Sequence, residues 1–290
     1  MTTVDLDVQW IHGADSDPAL QTHLAAPGTW ILRQSKKLNY EGPFLYLLAG
    51  STRALLVDTG ATADPALFPL RRTVDELIGP DFPLVVGHSH AHGDHIAADA
   101  QFAGRPNTIV VGHSAADVGG FFGITDWPAQ QASFDLGGRV LAVAGIPGHQ
   151  DASIAIYDTD TGLLLTGDTV YPGRLYVQDM AAFIQSLDRL VAFTHAHEVT
   201  HVLGCHIEMT ALPGRDYPLG STFQPDEAPL AMTAGQLVEV RDCARSVSGR
   251  PGAHQFNDFA IFNGPCRAAV ARQWARLLTA SAMRAIQRRT

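Results

Sequence analysis

The sequence predicts an α/β chain in which two sheets are flanked by helices. Three observations lead there. Short apolar runs of strand length recur along the chain, several of them ending in His or Asp; longer stretches between them carry apolar residues at helical spacing; and Gly, Pro and Asp punctuate the junctions.

In chain order, Trp30 to Gln34, Phe44 to Ala49 and Arg53 to Val57 read as strands, with Gly50-Ser51-Thr52 turning the last two into a hairpin. Asp64-Pro65 opens a helix in which Leu67, Leu70, Val74, Leu77 and Ile78 share a face, and Gly79-Pro80 ends it. Further strands are expected near 84–87, 108–112, 139–146, 153–158 and 162–166. Met180, Phe183, Ile184, Leu187, Leu190 and Val191 form the cleanest helical stripe, that of a core-docking helix. His195 and His197 close it, where a cation sits favourably against the helix dipole. Phe121 to Trp127 sets two phenylalanines and a tryptophan among glycines, as a pocket wall or a core plug. Residues 207–229, rich in Pro, Gly and polar residues, are read as a loop that either shapes a substrate pocket or plugs the core. Helices are expected near 227–246 and 265–288, the last with arginines on a solvated face opposite Val270, Trp274 and Leu277. Apolar runs ending in Asp, Thr and Gly at 54–60 and 163–169 hint at two similar halves.

The chemistry concentrates in His88-Ser89-His90-Ala91-His92-Gly93-Asp94-His95, four imidazoles and a carboxylate in one turn after the apolar run Leu84 to Val86. Imidazole suits borderline metals such as zinc, and the carboxylate adds a hard anionic partner. On an extended chain His90 and His92 point to one side, leaving Asp94 and His95 for a second place. A solvated loop in which Asp94 caps the next helix is the plain alternative. It leaves three downstream residues unexplained: His149 after the strand Val140 to Ile146, Asp168 after Leu163 to Thr166, and His206 after Val202 to Gly204. Strand ends that each finish in His or Asp are what a metal site at one rim of a sheet structure requires.

The series His90-x-His92-x-Asp94-His95, Gly148-His149, Gly167-Asp168 and His206 resembles the metallo-β-lactamase-fold hydrolase superfamily over roughly residues 40–210. Ala97-Ala98 and Ala152 stand where that family often has glycine. The resemblance implies a four-layer αββα sandwich with a C-terminal helical extension. It is expected as one domain over residues 1–290, with a core at about 28–210 and helices at about 227–288. It further implies two divalent metal ions, zinc foremost with iron or manganese also accommodated. One would be held by His90, His92 and His149, the other by Asp94, His95 and His206, with Asp168 bridging. An aspartate bridge argues against the β-lactamases of this fold. The branch that remains resembles glyoxalase II, thioesterases and lactonases, in which a hydroxide shared by two metals attacks an ester, thioester or lactone carbonyl. Asp94 would serve as ligand and proton shuttle. A mononuclear iron enzyme resembling persulfide dioxygenases is the alternative, and His206 speaks for the second metal. Tyr171 resembles the tyrosine that lactonases of this fold place near the substrate carbonyl, or else packs its ring on Pro172. Asp58 either orients a ligand histidine or forms a turn.

The remaining histidines, His12, His23, His113, His195, His197, His201 and His254, lie singly or on polar faces, and His88 sits on the wrong side of the ligand pair; none enters the metal list. Cys205, Cys243 and Cys266 are too few and too spread for a disulfide framework or a zinc finger. Cys205 reads as a small buried residue. With 20 Lys and Arg against 29 Asp and Glu, a formal net charge of -9, the chain lacks a basic tract to track phosphates. A small-molecule acyl substrate is therefore expected, and nucleic acid is not. Met1 to Asp7 has neither a basic start nor an apolar core, and no run reaches membrane-spanning length, so a cytoplasmic protein without membrane attachment is expected. Oligomeric state is unreadable.

Overall fold

Strands whose two faces are both buried read as unbroken apolar runs, because successive side chains feed opposite layers. That is how the centre of this molecule is built, in a computed structural model describing residues 1–264 and 271–278. The first sheet runs in the spatial order β1 (Leu20–Ala26), β2 (Thr29–Gln34), β3 (Phe44–Ala49), β4 (Ala54–Val57), β5 (Leu84–Gly87) and β6 (Thr108–Val110). Between its last strands lie α1 (Leu70–Ile78), the short α2 (Gly93–Ile96) and a 3-10 turn at Asp99–Phe102; α3 (Ala115–Phe122) comes next. The second sheet contains β7 (Gln131–Asp135), β8 (Val140–Gly145), β9 (Ile154–Asp158) and β10 (Leu163–Gly167). After β11 (Arg174–Val177) and α4 (Met180–Ala196), β12 (His201–Gly204) and β13 (Ala231–Met232) complete it, in the order β13-β12-β10-β9-β8-β7. Then come α5 (Ala234–Val247), β14 (Gly252–Gln255) and β15 (Ala260–Asn263), the last two joining β11 in a small third sheet.

Three apolar clusters define the layers. Phe44, Tyr46 and Leu48 of β3, Leu55 and Val57 of β4, and Leu163 and Leu165 of β10 meet between the two large sheets. The alternate residues Leu45, Leu47 and Leu56 face outward onto Leu70 and Val74 of α1. On the far side, Leu164 and Val202 pack against Phe183, Leu187 and Leu190 of α4 and Leu237 and Val240 of α5. Helix, sheet, sheet, helix is the expected layer order. Arg139, almost fully buried, clamps the sheets together: it pairs with Asp158 at 2.6 Å and donates to Thr29 Oγ1 at 2.7 Å and the Gly28 carbonyl at 2.7 Å.

Several local expectations are corrected. α1 starts at Leu70 instead of Asp64-Pro65, because Pro69 cannot donate a backbone hydrogen bond and disfavours helical geometry at the residue before it. Leu67 is consequently 53% exposed and shares no core face with Val74. Phe122 lies in the inter-sheet core, its ring 5.3 Å from that of Phe134, so this stretch plugs the core. α5 begins at Ala234, not near 227, because the Thr233 side chain caps it by accepting from the Gln236 amide. Residues 271–278 are helical, but Trp274 is 47% exposed while Arg276 pairs with Asp216 at 2.7 Å, so that arginine is an anchor more than a solvated charge. Val270 and Cys266 lie outside the described residues. The strands β1, β7, β11, β13, β14 and β15 are additions to the sequence pattern. No helix among the described residues is long and apolar enough to cross a membrane.

Candidate metal centre

Parallel strands aim their carboxyl ends the same way, and both large sheets contain them: β4, β5 and β6 in the first, and β10 with β12 in the second. Asp58 follows β4, His88 to His95 follow β5, Asp168 follows β10 and His206 lies just beyond β12, so four chain reversals meet at one rim. His149 arrives on the loop after β8. Gly148, before it, has φ 136, and a Cβ there would come within 2.4 Å of the Phe183 backbone at the start of α4. Gly167, before Asp168, has φ 53 and abuts Ser89 so closely that a Cβ would lie 2.7 Å from its side chain. The two glycines let the ligand-bearing loops close on their neighbours.

Seven of the expected residues gather into two adjoining clusters. In the first, His90 Nε2 lies 2.9 Å from His92 Nδ1 and 3.2 Å from His149 Nε2, which lies 3.0 Å from His92 Nδ1. In the second, His95 Nε2 and His206 Nε2 are 3.3 Å apart, and each is 3.4 Å from Asp94 Oδ2. Asp168 reaches both: Oδ2 is 3.6 Å from His95, 3.8 Å from His149 and 3.9 Å from His90, and Oδ1 is 3.4 Å from His206.

These spacings fit divalent ions. A tetrahedral ion with bonds of about 2.0–2.1 Å holds its ligand atoms about 3.3 Å apart. A shared proton can join two facing imidazole nitrogens but not three, so the three-histidine cluster keeps a lone pair free of any protein donor, which a cation would take up. Asp168 Oδ1, fully buried, has no hydrogen-bond partner. Burial, reinforced by the neighbouring imidazole of His95, holds His90 well below the usual imidazole range, and burial lowers His149 and His92 too, so these rings are neutral and able to ligate. The second cluster behaves oppositely. Burial works against charge on His206, but the Asp168 and Asp94 carboxylates win and push it up to about 10. Burial likewise opposes charge on Asp94, and bonds from His206 and His95 hold it well below the carboxylate range. Without metal, this half is a buried set of opposite charges whose imidazole protons an ion would displace.

Each ring is oriented from behind. Asp58 Oδ2 faces His95 Nδ1 at 3.0 Å, while the same carboxylate accepts from the Ser89 amide at 2.7 Å, the Ser89 hydroxyl at 2.8 Å and Cys205 Sγ at 3.2 Å. It does so from a left-handed backbone, φ 70, that few residues other than Asn, Asp and Gly adopt readily. Cys205 is buried as expected, but its thiol belongs to this supporting network. His149 Nδ1 donates to the Tyr176 carbonyl at 2.7 Å and His206 Nδ1 to the Glu41 carbonyl at 3.2 Å. These backbone acceptors carry no signal in the sequence.

Tyr171 is placed otherwise than as an oxyanion donor. Its hydroxyl is buried and donates to the Arg174 carbonyl beside Glu208, while its ring lies 5.7 Å from that of His206. A phenol bonded to that carbonyl is not free for a substrate. Arg174 and Glu208 form a buried ion pair, and Arg174 also reaches Asp216 at 3.1 Å, so the 207–229 loop is pinned to β11. His88 and His113, outside the expected ligand set, converge on one residue, Asp99.

Comparison with known proteins bears on this arrangement. The family model described as "Metallo-beta-lactamase superfamily" matches residues 41–193, just over half of the chain. Curated relatives include a hydroxyacylglutathione hydrolase from Synechococcus sp. (strain JA-2-3B'a(2-13)), 31% identical over 162 residues, 54% of this chain and 61% of the relative. Another from Nostoc punctiforme is 28% identical over 51% of this chain and 58% of its own. The chain thus spans about three fifths of the length of these relatives. Among solved structures, TMB-1 aligns at TM-score 0.54 and 15% identity over 80% of this chain and 100% of its own. A metallo-β-lactamase from Erythrobacter litoralis aligns at 0.54 and 18%, over 79% and 97%. At such identities these two support the fold alone.

Proposed function

The chain belongs to the metallo-beta-lactamase superfamily, and from that premise we propose that it is a dinuclear metal-dependent hydrolase of a small ester, thioester or lactone. The observation that carries the proposal is Asp168, a buried carboxylate within 4 Å of histidines in both clusters. His90, His92 and His149 would hold one ion and Asp94, His95 and His206 the other, with Asp168 shared. Bound there, divalent ions supply Lewis acidity and hydroxide at neutral pH, and this N/O donor set favours zinc with iron or manganese as substitutes.

The chain's own groups do the rest. Asp58 and the Glu41 and Tyr176 carbonyls fix which nitrogen of His95, His206 and His149 faces the centre. His90 and His95, buried, shut water out from behind, whereas Asp94 and His92 are partly exposed and mark the open side where substrate enters. Asp94, on that side, takes the proton released as water attacks the acyl carbon and passes it to the leaving oxygen or sulfur. The name of the curated relatives, hydroxyacylglutathione hydrolase, favours a thioester. The mononuclear iron alternative leaves the Asp94, His95 and His206 set without a purpose, and the two-ion reading is preferred for that reason.

The test is His206→Ala. It should lose one of two bound ions and lower kcat/KM on the best acyl substrate at least about 100-fold. A variant that kept its activity and consumed oxygen with a persulfide substrate would replace this reading with the alternative.

A further inference from the structure

Three segments outside the paired clusters bring His88, Asp99 and His113 together: the end of β5, the 3-10 turn after α2 and the loop that enters α3. His88 Nε2 lies 2.9 Å from Asp99 Oδ1, and His113 Nε2 lies 2.8 Å from Asp99 Oδ2. The two rings stand 4.8 Å apart at 77°, and one donor atom from each of the three residues falls within 4.8 Å of the others. Neither the family match nor the paired clusters account for this set.

We propose that His88, Asp99 and His113 form a third cation site, taking a borderline divalent ion such as Zn2+, Co2+ or Fe2+. Two imidazoles and one carboxylate are a donor set such ions favour. The two 2.8–2.9 Å contacts are hydrogen bonds to different oxygens of Asp99, and an ion taking the place of their protons would spread the donor atoms to about 3.3 Å, within the 4.8 Å that they already span. His88 is the fixed wall of the site: its side chain is only 2% exposed, and its Nδ1 has no hydrogen-bond partner, so Asp99 is the ring's polar anchor. His113, with a side chain 42% exposed, is the entry side, where water completes the coordination. Three protein ligands with one at the surface make this site weaker than the paired centre. It is not isolated from that centre. Thr59 donates its hydroxyl to Asp99 Oδ1 at 2.7 Å and its amide to the His95 carbonyl at 2.7 Å, so one residue braces both.

The test is titration of the chelator-stripped full chain with Co2+, read by bound equivalents and by the visible spectrum, in wild type, His113→Ala and Asp99→Asn. Wild type is expected to take one equivalent more than either variant, and the affinity of that last equivalent should fall more than about 100-fold in both, beyond what an outer contact gives. The readout is a difference of one equivalent, so it holds whatever number the paired clusters bind. Melting of the metal-free proteins checks folding, and His113 is exposed enough to replace without a packing loss. Equal stoichiometry in wild type and both variants would overturn the proposal and leave a hydrogen-bonded His-Asp-His triad.

Discussion

His90, His92, Asp94, His95, His149, Asp168 and His206, the ligands proposed above, could be singled out in the sequence because donor chemistry resides in side chains and their spacing follows strand ends, and the structure brings all seven together. The residues that hold them were legible only in part. Asp58 could be suspected from the strand it ends, whereas Glu41 and Tyr176 contribute backbone carbonyls that any residue would provide. Tyr171 shows the opposite failure, a motif position whose hydroxyl the fold commits to the Arg174 carbonyl. Tyr171→Phe should therefore cost about 1–2 kcal/mol in urea unfolding, because a buried acceptor loses its donor, and leave kcat within about twofold. A hundredfold fall in kcat with unchanged stability would restore the oxyanion role. Lys36 offers a second test at this scale. Burial pulls its ammonium from 10.5 down to about 8, although Glu227 works the other way, and its donors go to the Tyr40 and Glu41 carbonyls. Between those two values the unfolded chain binds the proton more than the folded one, so stability rises with pH from about 8 to 10.5. Relative to Lys36→Met, wild type should gain on the order of 3 kcal/mol across that window. Parallel stability curves for the two proteins would contradict the assignment.

Among the elements, the strands that could be read are those written as apolar runs, including β6 and β8, which are exposed or buried on one face only. β3, β4, β5, β9 and β10 are buried along nearly their whole length and stand out as apolar runs. β7 alternates exposed and partly buried residues, Gln131-Ala-Ser-Phe-Asp135, and β14 contains only Gly, Ala, His and Gln, so neither shows an apolar run. β11 finds its partner β15 more than 80 residues along the chain, a pairing that local pattern does not encode. Arg139 was equally hidden, being one charge in a strand-start sequence. It nevertheless joins the second sheet to the first through Asp158, Thr29 and Gly28. Arg139→Met leaves Asp158 buried without its counter-charge and should cost about 3–5 kcal/mol in equilibrium unfolding. A loss below about 1 kcal/mol would mean the sheets are held by apolar packing alone.

For the whole molecule, the two-sheet sandwich was legible from the alternation of strand runs and helical stripes, and the family match over residues 41–193 bears out the fold that the metal motif implied. The third sheet and the anchoring of residues 271–278 through Asp216 were not, since both depend on contacts between distant segments. Two sheets, each with parallel strands, deliver their carboxyl ends to one rim, where His and Asp side chains gather into two adjoining clusters at spacings that suit divalent ions. The most direct measurement is the metal content of protein purified without added metal and dialysed to remove weakly held ions, set against protein concentration and hydrolysis of a thioester. Two divalent ions per chain, with hydrolysis lost on chelation and restored by zinc or manganese, is the predicted result. One iron per chain, with oxygen uptake in place of hydrolysis, would contradict it.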